Sequence, residues 1–339
     1  MRRLGRVRGQ GRNVAELGTL GFVAGTVPDG LAIPFYFYDE FMKANDLYDD
    51  IDDMLADEDF QAEFDVQEEM LDDLRDAIKD AETPQWIIYA LTGMHAEFPE
   101  GQSLRYRSST NNEDLPGFDR AGLYDSKTQK SDETEGDGID KSLKQVYASM
   151  WNFRAFTERE FYRVDHTEAA MGVLVHQNCT DELANGVAVS FDPYYNFSGT
   201  YYVNTQIGED LVTNPEAHSK PEELLLFVDD TYWVLATSSL VPSGQLLMSD
   251  DQLQQLAEHL QTIHDHFEQL YDPAADEPFA IEIEFKITSD NILAIKQVRP
   301  WIFNSTPKLE PEGSQGPGKR RSYNVTAMRG GERPGVALE

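Results

Sequence analysis

Cysteine is almost absent from this chain: Cys179 is the only one among 339 residues. No intramolecular disulfide can form, and no cysteine-rich zinc site can be built. A lone thiol in an apolar context reads as a small buried hydrophobe. Long apolar runs are also missing, since no stretch reaches the roughly 18 apolar residues that a membrane-spanning helix requires. The apolar segment Leu17–Val27 follows several arginines and faintly resembles a secretory leader. Glu16 opens it, however, and no small-residue cleavage site stands out. We therefore expect a cytoplasmic protein without membrane contact.

Positive charge is scarce. The chain has 28 basic and 61 acidic residues, for a formal charge of -33. Eleven of the bases lie in the first twelve residues and in the tail after Phe303, together with four acids. The body between therefore holds 17 bases (28 − 11) against 57 acids (61 − 4). Such a body repels nucleic acid and anionic membrane, so neither is an expected partner. We read the acids as a heavily solvated surface rather than as a surface made for a basic partner. Forty per cent of residues are hydrophobic and 11% aromatic, enough for one two-lobed domain or two ordinary ones.

From Phe35 to Ala81 the pattern is helical and acidic. Phe41, Leu47, Ile51, Met54 and Leu55 form one apolar stripe, and Leu71, Leu74 and Ile78 another. The polar, glycine-containing run Lys127–Lys141 reads as a surface loop, and Tyr147–Arg163 as one aromatic-rich helix. Strands are expected at Met171–Val175, Gly186–Phe191, Gly199–Val203, Leu224–Val228 and Thr231–Ala236. One clear helix follows. Ser249 caps it with Gln252 three residues on, and Leu253, Leu256, Leu260, Ile263, Phe267 and Leu270 form its stripe. The tail after Phe303 is rich in Gly and Pro and reads as a linker or disordered segment.

Three motifs are decoys. Gly313–Lys319 approaches a phosphate-binding loop, but Arg320 stands where the metal-binding hydroxyl belongs, Pro317 interrupts it, and no strand precedes it. His264 and His266, two apart on a helix, diverge by about 200° and cannot easily share a metal; they read as solvent-facing. His176 near Cys179 makes a weak zinc argument.

Two segments carry chemistry. Between Ile281 and Ile287 the odd positions are apolar and the even ones are Glu282, Glu284 and Lys286, the alternation of a half-buried strand. After a turn-rich break, Ile292–Arg299 forms a second strand. A turn centred between Ser289 and Asp290 would set Glu282 opposite Gln297, with Glu284 on the same face and Arg299 continuing the row. Carboxylates suit a hard cation such as Mg, and Arg suits phosphate oxygens. An exposed hairpin with cross-strand ion pairs reads equally well. The other segment runs Arg105-Tyr-Arg107-Ser108-Ser109-Thr110 into Glu113-Asp114-Leu-Pro-Gly117, then Ala121-Gly122-Leu-Tyr124-Asp125-Ser126. An arginine at a strand end, hydroxyls and a glycine-containing loop can wrap phosphates; an ordinary polar turn has the same composition.

Taken in order, these segments resemble the nucleotide domain of the family of pyruvate phosphate dikinase, phosphoenolpyruvate synthase, glucan water dikinase and rifampin phosphotransferase. Arg107–Gly117 and Ala121–Ser126 are similar to its R-S-S-x-x-x-E-D-L-P-G and A-G-x-Y-x-S patterns. Met171–Gln177, Asn185–Ser190 and Ile207-Gly208-Glu209 match M-A-V-L-V-Q, S-G-V-A-F-T and G-L-G-E. Glu282-Ile-Glu284-Phe285 and Gln297-Val-Arg299-Pro300 match its closing D-I-E-F and Q-x-R-P. The resemblance covers about residues 11 to 303.

It implies an α+β, two-lobed ATP-grasp fold with mixed or antiparallel sheets and packed helices. A basic segment 1–12 would precede lobes 13–165 and 166–303, and a tail 304–339 would follow. It implies ATP and Mg as cofactors. Arg107 and Arg299 would act on phosphates, with Arg12, Glu209 and Glu282 also at the nucleotide and Glu284 and Gln297 on the metal. Two departures stand out. The family's glycine-led start carries a phosphate-binding lysine where this chain has Asn13, with Arg12 beside it. The family's T-S-H-type phosphohistidine motif is nowhere in the sequence, so the implied partner is a separate protein or domain bearing that histidine.

Overall fold

The computed structural model describes residues 10–112, 122–132, 138–178, 181–208, 219–229, 231–242, 244–274, 277–301 and 303. The motif residues Glu113, Asp114, Gly117, Ala121, Cys179 and Glu209, the loop Gly313–Lys319 and the tail lie outside them, as does the side chain of Arg12. The chain forms two compact units: Met1–Thr19 with Val27–Thr180, and Leu20–Thr26 with Asp181–Glu339.

In the first unit, α1 (Gln10–Leu17) and β1 (Gly30–Ile33) lead into the acidic helices α2 (Phe35–Ala44), α3 (Leu47–Ala56), α4 (Glu58–Ala62) and α5 (Phe64–Asp80). Their stripes fall where the spacing requires. Phe41, Ile51, Leu71 and Ile78 are fully buried in one core cluster. Then come α6 (Gln85–His95), β2 (Leu104–Thr110), β3 (Ser126–Gln129), α7 (Lys141–Ala148), a 3-10 turn (Ser149–Trp151), α8 (Phe153–Phe161) and β4 (Met171–Gln177). The four strands pair antiparallel in the order β1-β4-β2-β3.

Two expectations shift here. Lys127 and Thr128 are not loop: they pair with Tyr106 and Arg105 as an edge strand. The helix expected over 147–163 breaks at Asn152, whose backbone is extended at φ -54, ψ 133. Its side chain accepts from Arg75 and donates to the Leu123 carbonyl, 3.0 and 3.1 Å. The compact units divide at residue 180, just after β4, which pairs with β1 and β2 in the first sheet.

The second unit holds β5 (Ala184–Val189), β6 (Thr200–Ile207), β7 (Glu222–Phe227), β8 (Tyr232–Ala236), α9 (Asp250–Tyr271), β9 (Ile281–Ile287) and β10 (Leu293–Pro300). Its six strands are antiparallel in the order β10-β9-β5-β6-β7-β8. Helix α9 starts on a complete capping box between Ser249 and Gln252. Its stripe buries Leu253, Leu256, Leu260, Ile263 and Phe267, while Leu270 is half-buried. It packs against β7, β9 and β10. Tyr201 reaches it by a bond to Gln261, which identifies the helix-covered face as the one holding Tyr201, Val203, Ala188 and Ile283. Gly186 on that face is required: a Cβ there would meet the Phe285 ring and lie 2.7 Å from the Asn204 carbonyl. The segment Leu20–Thr26 also belongs here. Ile295 N donates to Thr26 O at 2.6 Å, and the Phe22 ring lies 4.5 Å from that of His259. Among the described residues no helix is long and apolar enough to cross a membrane.

Candidate functional site

The hairpin β9–β10 carries four of the residues expected at the site, Glu282, Glu284, Gln297 and Arg299. Its register differs from the expected one by two residues. Glu282 pairs with Arg299 and Glu284 with Gln297. The turn accounts for one residue: Thr288 and Ile292 close it, with Asn291 left-handed at φ 64. The other is a bulge between Ile295 and Gln297, which leaves Lys296 as the extra residue. Because the two offsets sum to an even number, the face assignment survives. Glu282, Glu284, Gln297 and Arg299 share one face, and it is the face turned away from α9.

That face is not an exposed hairpin surface. Glu282, Lys286 and Gln297 are 8%, 6% and 3% exposed, and Glu284 and Arg299 are half-buried. Buried charge is costly unless paired. Arg299 Nε donates to Glu282 Oε1 at 2.7 Å, and its terminal nitrogen reaches the same oxygen. Lys286 bonds Glu182. Asn185, opposite Lys286 on β5, donates to the Gly208 carbonyl at 2.7 Å, immediately before Glu209.

The residues fit Mg. Glu284 and Gln297 are a cross-strand pair whose Cβ atoms stand about 5 Å apart, both offering oxygens. Among the described residues no group of three or more His, Cys, Asp or Glu could hold a metal. Mg needs no such cage, because it binds one or two carboxylates and completes its shell with water and substrate phosphates.

In the first unit, β2 runs on through Thr110, so Arg107 lies within the strand and not at its end. Alternation splits the hydroxyls: Ser109 shares the face of Arg105 and Arg107, whereas Ser108 and Thr110 point to the other, 9% and 0% exposed. Arg105 donates to Thr128 Oγ1 at 3.0 Å, and burial, aided by Arg107, lowers its guanidinium pKa from the ordinary value. His176 on β4 stands opposite Arg105. One polar face thus holds Arg105, Arg107, His176, Ser126 and Thr128. Helix α1 runs against β2 and β4 and carries Asn13, 3% exposed.

Sequence reasoning missed two features. Lys286 looked like a solvated position in an alternating strand, yet it is buried with Glu182. His264 was expected to face solvent with His266; both are half-buried. His264 Nδ1 lies 2.8 Å from Ser190 Oγ, which accepts from Ile281 N at 2.9 Å. The two rings do not converge: His264 leans on Phe279 and His266 on Phe267.

A family model described as the pyruvate phosphate dikinase AMP/ATP-binding domain matches residues 5–313. The chain is 27% identical over 212 residues to rifampicin phosphotransferase of Streptomyces sp, an alignment covering 62% of this chain and 24% of that protein. It is 26% identical over 140 residues to phosphoenolpyruvate synthase of Deinococcus radiodurans, covering 40% of this chain and 17% of that protein. The matched stretch is therefore less than a quarter of the length of either relative. D-alanyl-alanine synthetase A from Vibrio cholerae superposes with a TM-score of 0.28 at 11% identity, over 68% of this chain and 54% of the other, too slight a likeness to bear on the fold. Since the family match spans all but the two ends of the chain, this protein belongs to the pyruvate phosphate dikinase AMP/ATP-binding domain family.

Proposed function

We propose that the chain binds Mg-ATP in ATP-grasp fashion and passes a phosphoryl group to a histidine on a separate domain or protein, giving AMP. The observation that carries this reading is the row on β9–β10, in which Glu282, Glu284, Gln297 and Arg299 share one largely buried face. Glu284 and Gln297 would hold the Mg ion, which when bound neutralises phosphate charge. Arg299, kept in place by Glu282, offers its guanidinium edge to phosphate oxygens. Arg107 contributes a second guanidinium, and Arg12 and Glu209 complete the proposed nucleotide contacts.

The acceptor lies elsewhere in this reading, because the chain's own described histidines are engaged. His95 bonds the Tyr106 hydroxyl at 2.7 Å. His166 stacks on Phe156 at 4.1 Å and takes Arg159 Nε at 3.1 Å. His176 bonds the Gln177 carbonyl, His259 packs on Phe22 and His264 bonds Ser190. In-line transfer needs an acceptor freely placed at near-attack distance. A second reading, nucleotide binding without turnover, is favoured by Asn13, the buried neutral side chain standing at the family's lysine position. The purified chain with Mg and labelled ATP, with and without a phosphohistidine-domain protein of this family, decides between them. AMP formation only in the mixture supports transfer. Absence of AMP in both, with binding intact, supports the second reading. Stoichiometric self-labelling contradicts both.

A further inference from the structure

The row on β9 does not end at Glu284. Lys286 follows on the same face, about 7 Å further along the strand. It is 6% exposed, and its ammonium is held by Glu182, with 7% and 8% of the two side-chain surfaces exposed. Nothing in the hairpin requires a cation there. On β10 it faces Ala294, and on β5 Asn185. A hydrophobe would bury at less cost, since burying an ion pair seldom gains stability over apolar packing.

Its position along the row gives it a use. Arg299 stands opposite Glu282 on one side of the Glu284–Gln297 pair, and Lys286 stands on the other side. The proposed metal position is thus flanked by a cation on each side, each about 7 Å away along the strands. A polyphosphate bound at this face would present oxygens along the strand row. Arg299 can meet the oxygens on one side, and Lys286 is placed to meet those on the other. An ammonium carries three donors, so it can keep a carboxylate while it binds a phosphate oxygen.

We propose that Lys286 is a phosphate-contacting residue of the nucleotide site, held on the site face by its buried ion pair with Glu182. The inference rests on the reading of that face as a Mg-ATP site.

The test is calorimetry of the full chain with Mg and either ATP or AMP. The variants are Lys286→Met, Lys286→Arg and the double change Lys286→Met with Glu182→Gln, which removes both charges and leaves no carboxylate buried alone. Both methionine variants should bind ATP at least about tenfold more weakly, a loss of about 1.4 kcal/mol, while AMP affinity stays within about twofold. Lys286→Arg should recover most of the ATP affinity, because it keeps the charge. A purely structural lysine would weaken AMP and ATP alike, or weaken neither, and either result overturns the proposal. Should Lys286→Met fail to fold, the double variant carries the same comparison. If Glu284→Ala weakens ATP binding and the methionine variants do not, only the Lys286 role fails. If the wild-type chain binds neither nucleotide, the site reading fails with it.

Discussion

In the four-stranded sheet Arg105 and Arg107 stand half-buried; Arg105 donates to the Thr128 hydroxyl and lies in the field of Asp125. In the six-stranded sheet Glu282, Lys286 and Gln297 are less than a tenth exposed, and the charged ones are locked into ion pairs with Arg299 and Glu182. Both faces are polar. They differ in what holds the side chains. A half-buried guanidinium keeps part of its hydration, whereas a buried carboxylate or ammonium persists only with a partner that compensates its desolvation. The charges on the second sheet are therefore preorganised by their ion pairs and cannot be removed singly without a cost to stability.

The largest expected effect breaks that pairing. Lys286→Met leaves Glu182 buried without its ion-pair partner and should cost about 3–5 kcal/mol in denaturant unfolding, whereas the double change with Glu182→Gln should come within about 1 kcal/mol of wild type. Arg105→Met in the first sheet loses one hydrogen bond and should cost no more than about 1.5 kcal/mol. Equal costs for the two single changes would erase the contrast.

Backbone clearance sharpens it next. Gly186 on β5 lies under the Phe285 ring, so Gly186→Ala must displace either the ring or β6 and should cost about 1–3 kcal/mol. Gly93 on α6 of the first unit has no atom within 4 Å of an added Cβ. Gly93→Ala should instead stabilise by about 0.5–1 kcal/mol, through helix propensity alone.

Part of this was legible from sequence, and part was not. The alternation at 281–287 placed β9 at its observed bounds, because strand period and burial agree there. The capping box of α9 and the helical stripes were legible for the same reason: each is set by neighbours within a few residues. The register of the hairpin was not, because a left-handed Asn291 and the bulge at Lys296 are backbone choices that composition does not reveal. The partner of Lys286 lies 104 residues away, so the burial of that lysine was hidden behind a pattern that reads as solvent-facing. The strand β3 was hidden because an edge strand can be as polar as a loop.

A smaller effect depends on pH. Glu222 on β7 is fully buried, and burial pushes its carboxyl up to about 7. One oxygen accepts from Leu247 N at 3.1 Å; the other has no hydrogen-bond partner among the described residues. The folded pKa lies above the unfolded one, so between the ordinary carboxylate value and about 7 the folded state holds a proton that the unfolded state has lost. Stability contributed by this group therefore falls as pH rises through that window and levels off above it. Glu222→Gln should leave Tm unchanged near pH 4 and raise stability on the order of 2 kcal/mol at pH 8. A gain that does not vary with pH would show that Glu222 is not protonated in the fold.

Titrating ATP into the wild-type chain and into Glu284→Ala and Arg299→Ala, with and without Mg, in a calorimeter would show whether the β9–β10 face binds Mg-ATP. The account predicts Mg-dependent binding that each change weakens at least about tenfold, or about 1.4 kcal/mol. Binding that is unchanged in both variants would contradict it.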